Sequence, residues 1–143
     1  MNLYLDTSAL VKLYVEEEGS GTVREAVAGA EAIATTVIAY VEARAAFARR
    51  RRERRLSPGD YRRILQELDA DWEHYLRVEV TADLIRRAAE LAETHALRAY
   101  DALHLAAATL LRERLQQLVQ FACWDSTLSA AARREGLGLI RVQ

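Results

Sequence analysis

The stretch Asn2-Leu3-Tyr4-Leu5-Asp6-Thr7-Ser8-Ala9-Leu10-Val11 decides how this chain is read. Four residues of β-type character end in an acid. Thr7 or Ser8 can then cap the amphipathic run that follows through Val15, because a side-chain oxygen at a helix start satisfies a backbone N–H that has no intrahelical acceptor. A strand is therefore expected to stop at an acid and turn into a helix. Gly19-Ser20-Gly21 breaks the chain, a second helix is expected to run to about Ala30, and Ala32–Thr35 is a small-residue strand. A long helix is expected from about Thr36 to Arg55, with Val37, Val41, Ala45 and Ala48 at helical spacing.

Ser57-Pro58 supplies a cap and a first-turn proline for the partner helix of a hairpin. Further on, Arg77–Val80 reads as a strand and Thr81 opens a helix. Leu97–Leu115 is the most apolar helix of the chain and is expected to lie centrally. Leu118–Cys123 reads as a strand, Ser126–Glu135 as a helix ended by Gly136, and Leu139–Val142 as a last strand. Strands alternating with helices predict an α/β sandwich in three layers, a mainly parallel central sheet flanked by helices, with ligands gathering at the carboxyl ends of the strands. At 143 residues, with no repeat, linker or low-complexity segment, a single domain over 1–143 is expected.

Composition narrows the function classes. Hydrophobic residues make up 51% and charged residues 29%, a globular profile rather than a disordered one. No uncharged apolar run reaches the roughly 18 residues of a membrane span. The N-terminus lacks a basic-then-apolar leader and Cys123 is the single cysteine, so a cytoplasmic location without disulfides is expected. Formal net charge is −1, so any nucleic-acid contact has to come from local charge separation. The run Arg49–Arg55, broken only by Glu53 and followed by Arg62 and Arg63, is such a local feature. It reads equally well as a solvated helix end favourable to the helix dipole and as a phosphate-tracking patch.

Four carboxylates stand out on this plan. Asp6 ends the first strand and Asp125 lies just past the strand Leu118–Cys123. Glu42 is in the second turn of the long helix, and Asp101 opens an otherwise apolar helix. Asp6 and Asp125 also fit helix caps, Glu42 fits a surface position, and Asp101 fits an ion pair. Converging acids repel unless a cation neutralises them, and an all-oxygen donor set with no Cys/His cluster suits Mg²⁺ or Mn²⁺ rather than zinc.

These blocks resemble the PIN domain, in particular the VapC ribonucleases of toxin–antitoxin pairs. The resemblance rests on Tyr4–Tyr14, on Glu42, on Ala99–Ala107 (Ala-Tyr-Asp-Ala-Leu-His-Leu-Ala-Ala) and on Trp124–Ala132 followed by Gly136, in that order and over essentially the whole chain. It implies an acidic site of Asp6, Glu42, Asp101 and Asp125 holding Mg²⁺ or Mn²⁺, hydrolysis of RNA, silencing by a VapB-like antitoxin, and a homodimer. Leu13, Tyr14 and the long helices are read as apolar surface for that dimer.

Asp6 and Asp101 are expected as metal ligands, Asp125 as a ligand from the opposite side, and Glu42 as a ligand or as the group orienting the attacking water. Ser8 is preferred to Thr7 as a supporting hydroxyl. Some PIN domains carry a further acid two residues past the last aspartate, where this chain has Thr127, which weakens the case for a second metal. His104 is read as a packing or hydrogen-bonding histidine, and Trp124 as a core or interface residue rather than a base-stacking one. Two rivals are an aspartyl-phosphate hydrolase, disfavoured because Ser8 stands where its second acid is expected, and a catalytically inactive PIN-like module that binds RNA or protein.

Overall fold

The computed structural model describes residues 1–140. Its elements in chain order are β1 (Asn2–Leu5), α1 (Thr7–Tyr14), α2 (Ser20–Ala28), β2 (Ala32–Thr36), α3 (Ile38–Arg52), α4 (Pro58–Trp72), β3 (Leu76–Val78), α5 (Ala82–His95), α6 (Ala99–Leu115), β4 (Val119–Ala122), α7 (Ser126–Arg134) and β5 (Gly138–Leu139). The strands form one sheet in the order β3-β2-β1-β4-β5, and every pairing is parallel. The expected strand Leu139–Val142 is represented by Gly138–Leu139, and its last two residues lie outside the described ones.

Both faces of the sheet are covered, which is why β1 is buried along its whole length instead of alternating with solvent. The two-residue period sorts its side chains between layers. Leu3 and Leu5 pack with α1, α2, α3 and α4 around Phe47, Ile64 and Leu68, while Tyr4 packs with α5, α6 and α7 around Leu105 and Leu128. Helix α6 is buried along most of its length, with Ala102, Leu103 and His104 to Thr109 all inside, so the most apolar helix is indeed central.

The starts of four helices are fixed by side-chain caps. Asp6 accepts from the Ala9 N–H at 2.9 Å, Ser57 from Asp60 at 3.1 Å, Thr81 from Leu84 at 3.1 Å and Asp125 from Leu128 at 2.8 Å. Expected ends move by a few residues at most. The face expected of α3 is a larger correction: Val41 is 64% exposed, Ala45 is also exposed, and the buried stripe is Ala39, Ala43 and Phe47.

The strand order places the site. From β1 the chain steps to β2 and β3 on one side, then returns to place β4 and β5 on the other. The reversal therefore falls between β1 and β4, where a parallel sheet opens a crevice at its carboxyl end. Leu5 pairs with Ala122, and the Asp6 N–H donates to the Ala122 carbonyl at 3.1 Å. Asp6 and the Cys123–Asp125 turn thus leave the sheet side by side.

Candidate active site

Asp6 is 5% exposed, yet no Lys or Arg pairs with it among the described residues. Its Oδ1 takes both of its hydrogen bonds, from the Ser8 hydroxyl at 2.7 Å and the Ala9 N–H, so Oδ2 is left without one among the described residues. Burial pushes its pKa above the usual carboxylate value and the negative charge of Asp101 pushes the same way. His104 and the two hydrogen bonds pull against them without prevailing. Ser8, expected as a supporting hydroxyl, sits on this carboxylate.

Thr7 has a separate task. Its hydroxyl donates to Glu42 Oε1 at 2.6 Å, and the same oxygen lies 3.2 Å from His104 Nε2. Burial alone would raise the Glu42 pKa, but the His104 and Thr7 hydrogen bonds and the imidazole's charge outweigh it and hold it below the usual value. His104 is buried, and its other nitrogen, Nδ1, lies 2.8 Å from the Tyr4 hydroxyl, so one imidazole ties β1 and α6 to α3. That is the hydrogen-bonding role read from the sequence. Thr7 was ranked below Ser8 there, and both hydroxyls turn out to hold a carboxylate.

Asp101 lies in the first turn of α6 with its side chain 21% exposed, and its partner is Arg98 at 3.2 Å. The same guanidinium lies 3.9 Å from Asp125, whose side chain is 42% exposed. The sequence reading missed Arg98; its signal was a cation three residues before an acid at a helix start. Trp124 is partly buried against the α1–α4 layer. Gly19, at a φ of 91°, passes so close to its indole that a Cβ there would come within 2.5 Å, and Lys12 lies over the ring at 4.8 Å. Trp124 is therefore a packing residue.

The four acids are joined through shared partners. Asp101 raises the pKa of Asp6, Arg98 bridges Asp101 and Asp125, and Glu42 is held by the neighbour of Asp6 and by His104, which follows Asp101 by three residues. Among the described residues no three Asp, Glu, His or Cys side chains converge on one point closely enough to hold a metal ion as they stand. The donor chemistry nevertheless fits a hard divalent cation. All the donors are oxygens, one is a buried carboxylate without a counter-ion among the described residues, and Mg²⁺ binds through one or two carboxylates while keeping several waters.

Comparison with known proteins bears on this arrangement. The family model for the PIN domain matches residues 3–119. The chain belongs to the PIN-domain family. Among curated relatives, this PIN domain is 36% identical over 138 residues to "Ribonuclease VapC45" of Mycobacterium tuberculosis, covering 94% of this chain and 91% of that one. It is 32% identical over 120 residues to "Ribonuclease VapC3" of Pyrobaculum aerophilum, covering 82% and 89%.

Its fold is similar to that of FitAcB from Neisseria gonorrhoeae (TM-score 0.64, 15% identity, 97% and 96% covered). It is also similar to that of VapBC-5, a member of the VapBC family of toxin–antitoxin systems from Mycobacterium tuberculosis (TM-score 0.63, 18% identity, 99% and 98% covered). The expected three-layer α/β fold is thereby met. The dimer argument from Leu13 and Tyr14 is not: Tyr14 is 8% exposed inside the core, and Leu13 packs against that core. No helix of the described residues is long and apolar enough to cross a membrane.

Proposed function

We propose that this PIN domain is a divalent-metal-dependent endoribonuclease, the toxin of a toxin–antitoxin pair, silenced by a VapB-like antitoxin. The observation that carries the reading is Asp6: a buried carboxylate without a counter-ion among the described residues, at the switch point of the sheet and beside a second acid. The relatives that match most of the chain are VapC ribonucleases, and two of the solved structures it resembles are VapBC-5 of Mycobacterium tuberculosis and VapBC2 of Rickettsia felis.

Asp6 and Asp101 are the residues that would hold Mg²⁺ or Mn²⁺, with Asp125 approaching from the β4 side. The bound cation would supply a Lewis acid for a phosphodiester oxygen and lower the pKa of a coordinated water. The chain's own contribution is positioning. Ser8 and the Ala9 N–H fix Asp6 Oδ1 and leave Oδ2 without a hydrogen bond among the described residues. Thr7 and His104 fix Glu42 Oε1 and keep the group ionised, so that Oε2 can orient the attacking water and take its proton. Pairing of two copies and cytoplasmic residence belong to the same reading.

The test is cleavage of a structured RNA pool by purified protein free of antitoxin, in Mg²⁺, Mn²⁺ or EDTA, alongside Asp6→Asn and Asp101→Asn. Cleavage is expected to need the metal and to disappear in both variants. Equal behaviour of wild type and variants would sink the proposal.

A further inference from the structure

Residues 49–63 hold eight arginines against Glu53 and Asp60, six positive charges in excess in a chain whose net charge is −1, so the remainder carries seven negative charges in excess. The Arg-rich end of α3 is also shaped. A groove of about 480 Å³ runs along it, with Ala45 and Ala46 leaving space between Arg49, Arg50, Arg52 and Arg55. Arg50 is tied to Glu17 at 2.8 Å, which anchors one wall, and Arg49 and Arg55 share Glu53 at 3.3 and 3.6 Å. Arg51, Arg52, Arg54 and Arg62 have no carboxylate partner among the described residues.

Helix spacing connects this groove to the active site. Positions three, four, seven and eleven residues apart share a helix face, so Ala45, Ala46, Arg49 and Glu53 lie on the stripe that carries Glu42. At 1.5 Å per residue the groove begins one turn beyond Glu42 and ends ~15 Å from it.

The geometry points to this groove as a binding track for the sugar–phosphate backbone of a single RNA strand, which leads the strand along α3 to Glu42. The inference rests on the nuclease reading and adds where the substrate is held outside the reacting centre. Arginine suits the task because its planar fork pairs phosphate oxygens through two donors, and such contacts position a strand without reading its bases. Glu53 is the internal competitor: it occupies two of the arginines until phosphates displace it. An acidic polypeptide is the rival occupant of the same charge, but the alanine-floored channel in line with Glu42 favours the substrate.

The experiment measures binding of a labelled single-stranded RNA of about 12 nucleotides in EDTA, by fluorescence anisotropy across about 50 to 200 mM salt. Wild type is compared with Arg49→Gln/Arg52→Gln/Arg55→Gln and with a control of equal charge change, Arg86→Gln/Arg114→Gln/Arg134→Gln. All six arginines are exposed, and circular dichroism checks that both triples fold. The groove triple is expected to bind about tenfold or more weakly, with a salt slope lower by about 2 for three lost phosphate contacts. The control is expected to stay within about twofold, and Glu53→Gln to bind more tightly than wild type. DNA of the same sequence is expected to follow RNA, because the phosphates are common to both.

Equal losses in the two triples, or none, overturn the track. So does an unchanged RNA affinity with loss of polyglutamate binding in the groove triple, which would hand the groove to an acidic protein. Cleavage assayed in parallel in Mn²⁺ separates the two claims. Wild-type cleavage with a groove triple that still binds RNA normally removes the track and leaves the nuclease standing. Groove-dependent binding without any cleavage keeps the track and removes the nuclease.

Discussion

Asp6 is where stability and function pull apart. Its pKa is raised by burial and by Asp101, so the folded chain holds that proton more tightly than the unfolded chain does. The sign follows: the contribution is favourable at pH below the unfolded value and is lost as pH rises through the folded value, so the ionised Asp6 destabilises the metal-free protein at neutral pH. Asp6→Asn keeps an oxygen to cap Ala9 and removes the charge. Thermal unfolding in EDTA at pH 7 is expected to show Tm up by about 2–4 °C, with the gain narrowing as the pH is lowered and Asp6 becomes neutral in both proteins. A lower Tm at pH 7, or a gain that grows on acidification, would contradict the electrostatic account. Glu42 has the opposite sign, with a pKa held down by His104 and Thr7. Thr7→Val removes one of those hydrogen bonds, so the acid limb of the cleavage rate is expected to move to higher pH, with the loss of kcat growing as the pH is lowered. An unmoved limb would remove Glu42 from the proton transfer. All four acids were visible in the sequence because Asp6 and Asp125 follow strands, Asp101 opens an apolar helix and Glu42 falls in the second turn of the helix after β2. Arg98 was passed over, because an arginine three residues before an acid stands out little in an arginine-rich chain until the fold sets it beside two acids.

Elements were legible wherever a cap or a period marked them. Ser57, Thr81 and Asp125 each open a helix at the expected place, and Gly136, at a φ of 86°, follows the last helix as expected. The pattern failed in α3, and the reason is its alanines. Alanine occurs on several faces of that helix, so periodicity alone allows more than one apolar stripe, and the expected stripe of Val37, Val41, Ala45 and Ala48 missed the one large side chain that decides the matter. Phe47 is fully buried and meets Tyr14 edge-on with ring centres 6.3 Å apart. Phe47→Ala is therefore expected to cost about 3–5 kcal/mol, while Val41→Ala, at an exposed position, is expected to stay within ~0.5 kcal/mol. Urea unfolding of both variants measures this directly, and comparable losses would restore the stripe expected from the sequence. The same arrangement explains why α3 can carry chemistry on another face. With Ala39, Ala43 and Phe47 packed inward, Glu42 and the line toward Arg49 remain available to solvent and substrate.

At the scale of the whole molecule, the parallel sheet sends its acids to one edge and leaves them incompletely neutralised. Asp6 has no basic partner among the described residues, and Asp101 and Asp125 share one guanidinium that is 81% exposed, a pairing worth at most ~1 kcal/mol. The fold therefore stores a repulsion that a divalent cation would relieve, and binding to the folded state alone raises stability by mass action. Because no three such side chains among the described residues converge on one point, a bound ion would keep several of its waters, and the affinity is expected to be modest. Added Mn²⁺ should raise the Tm of wild type progressively, approaching a gain of ~2.7 kcal/mol when the ion stands at about a hundred times its Kd. Asp6→Asn and Asp101→Asn should show little or none of that rise, although Asp6→Asn begins from a higher Tm in EDTA. The two effects of one substitution then point in opposite directions, which a merely damaged fold cannot produce. A wild-type Tm indifferent to Mn²⁺ and Mg²⁺ would mean that the acidic edge binds neither ion, and the metal-dependent mechanism would fall with it.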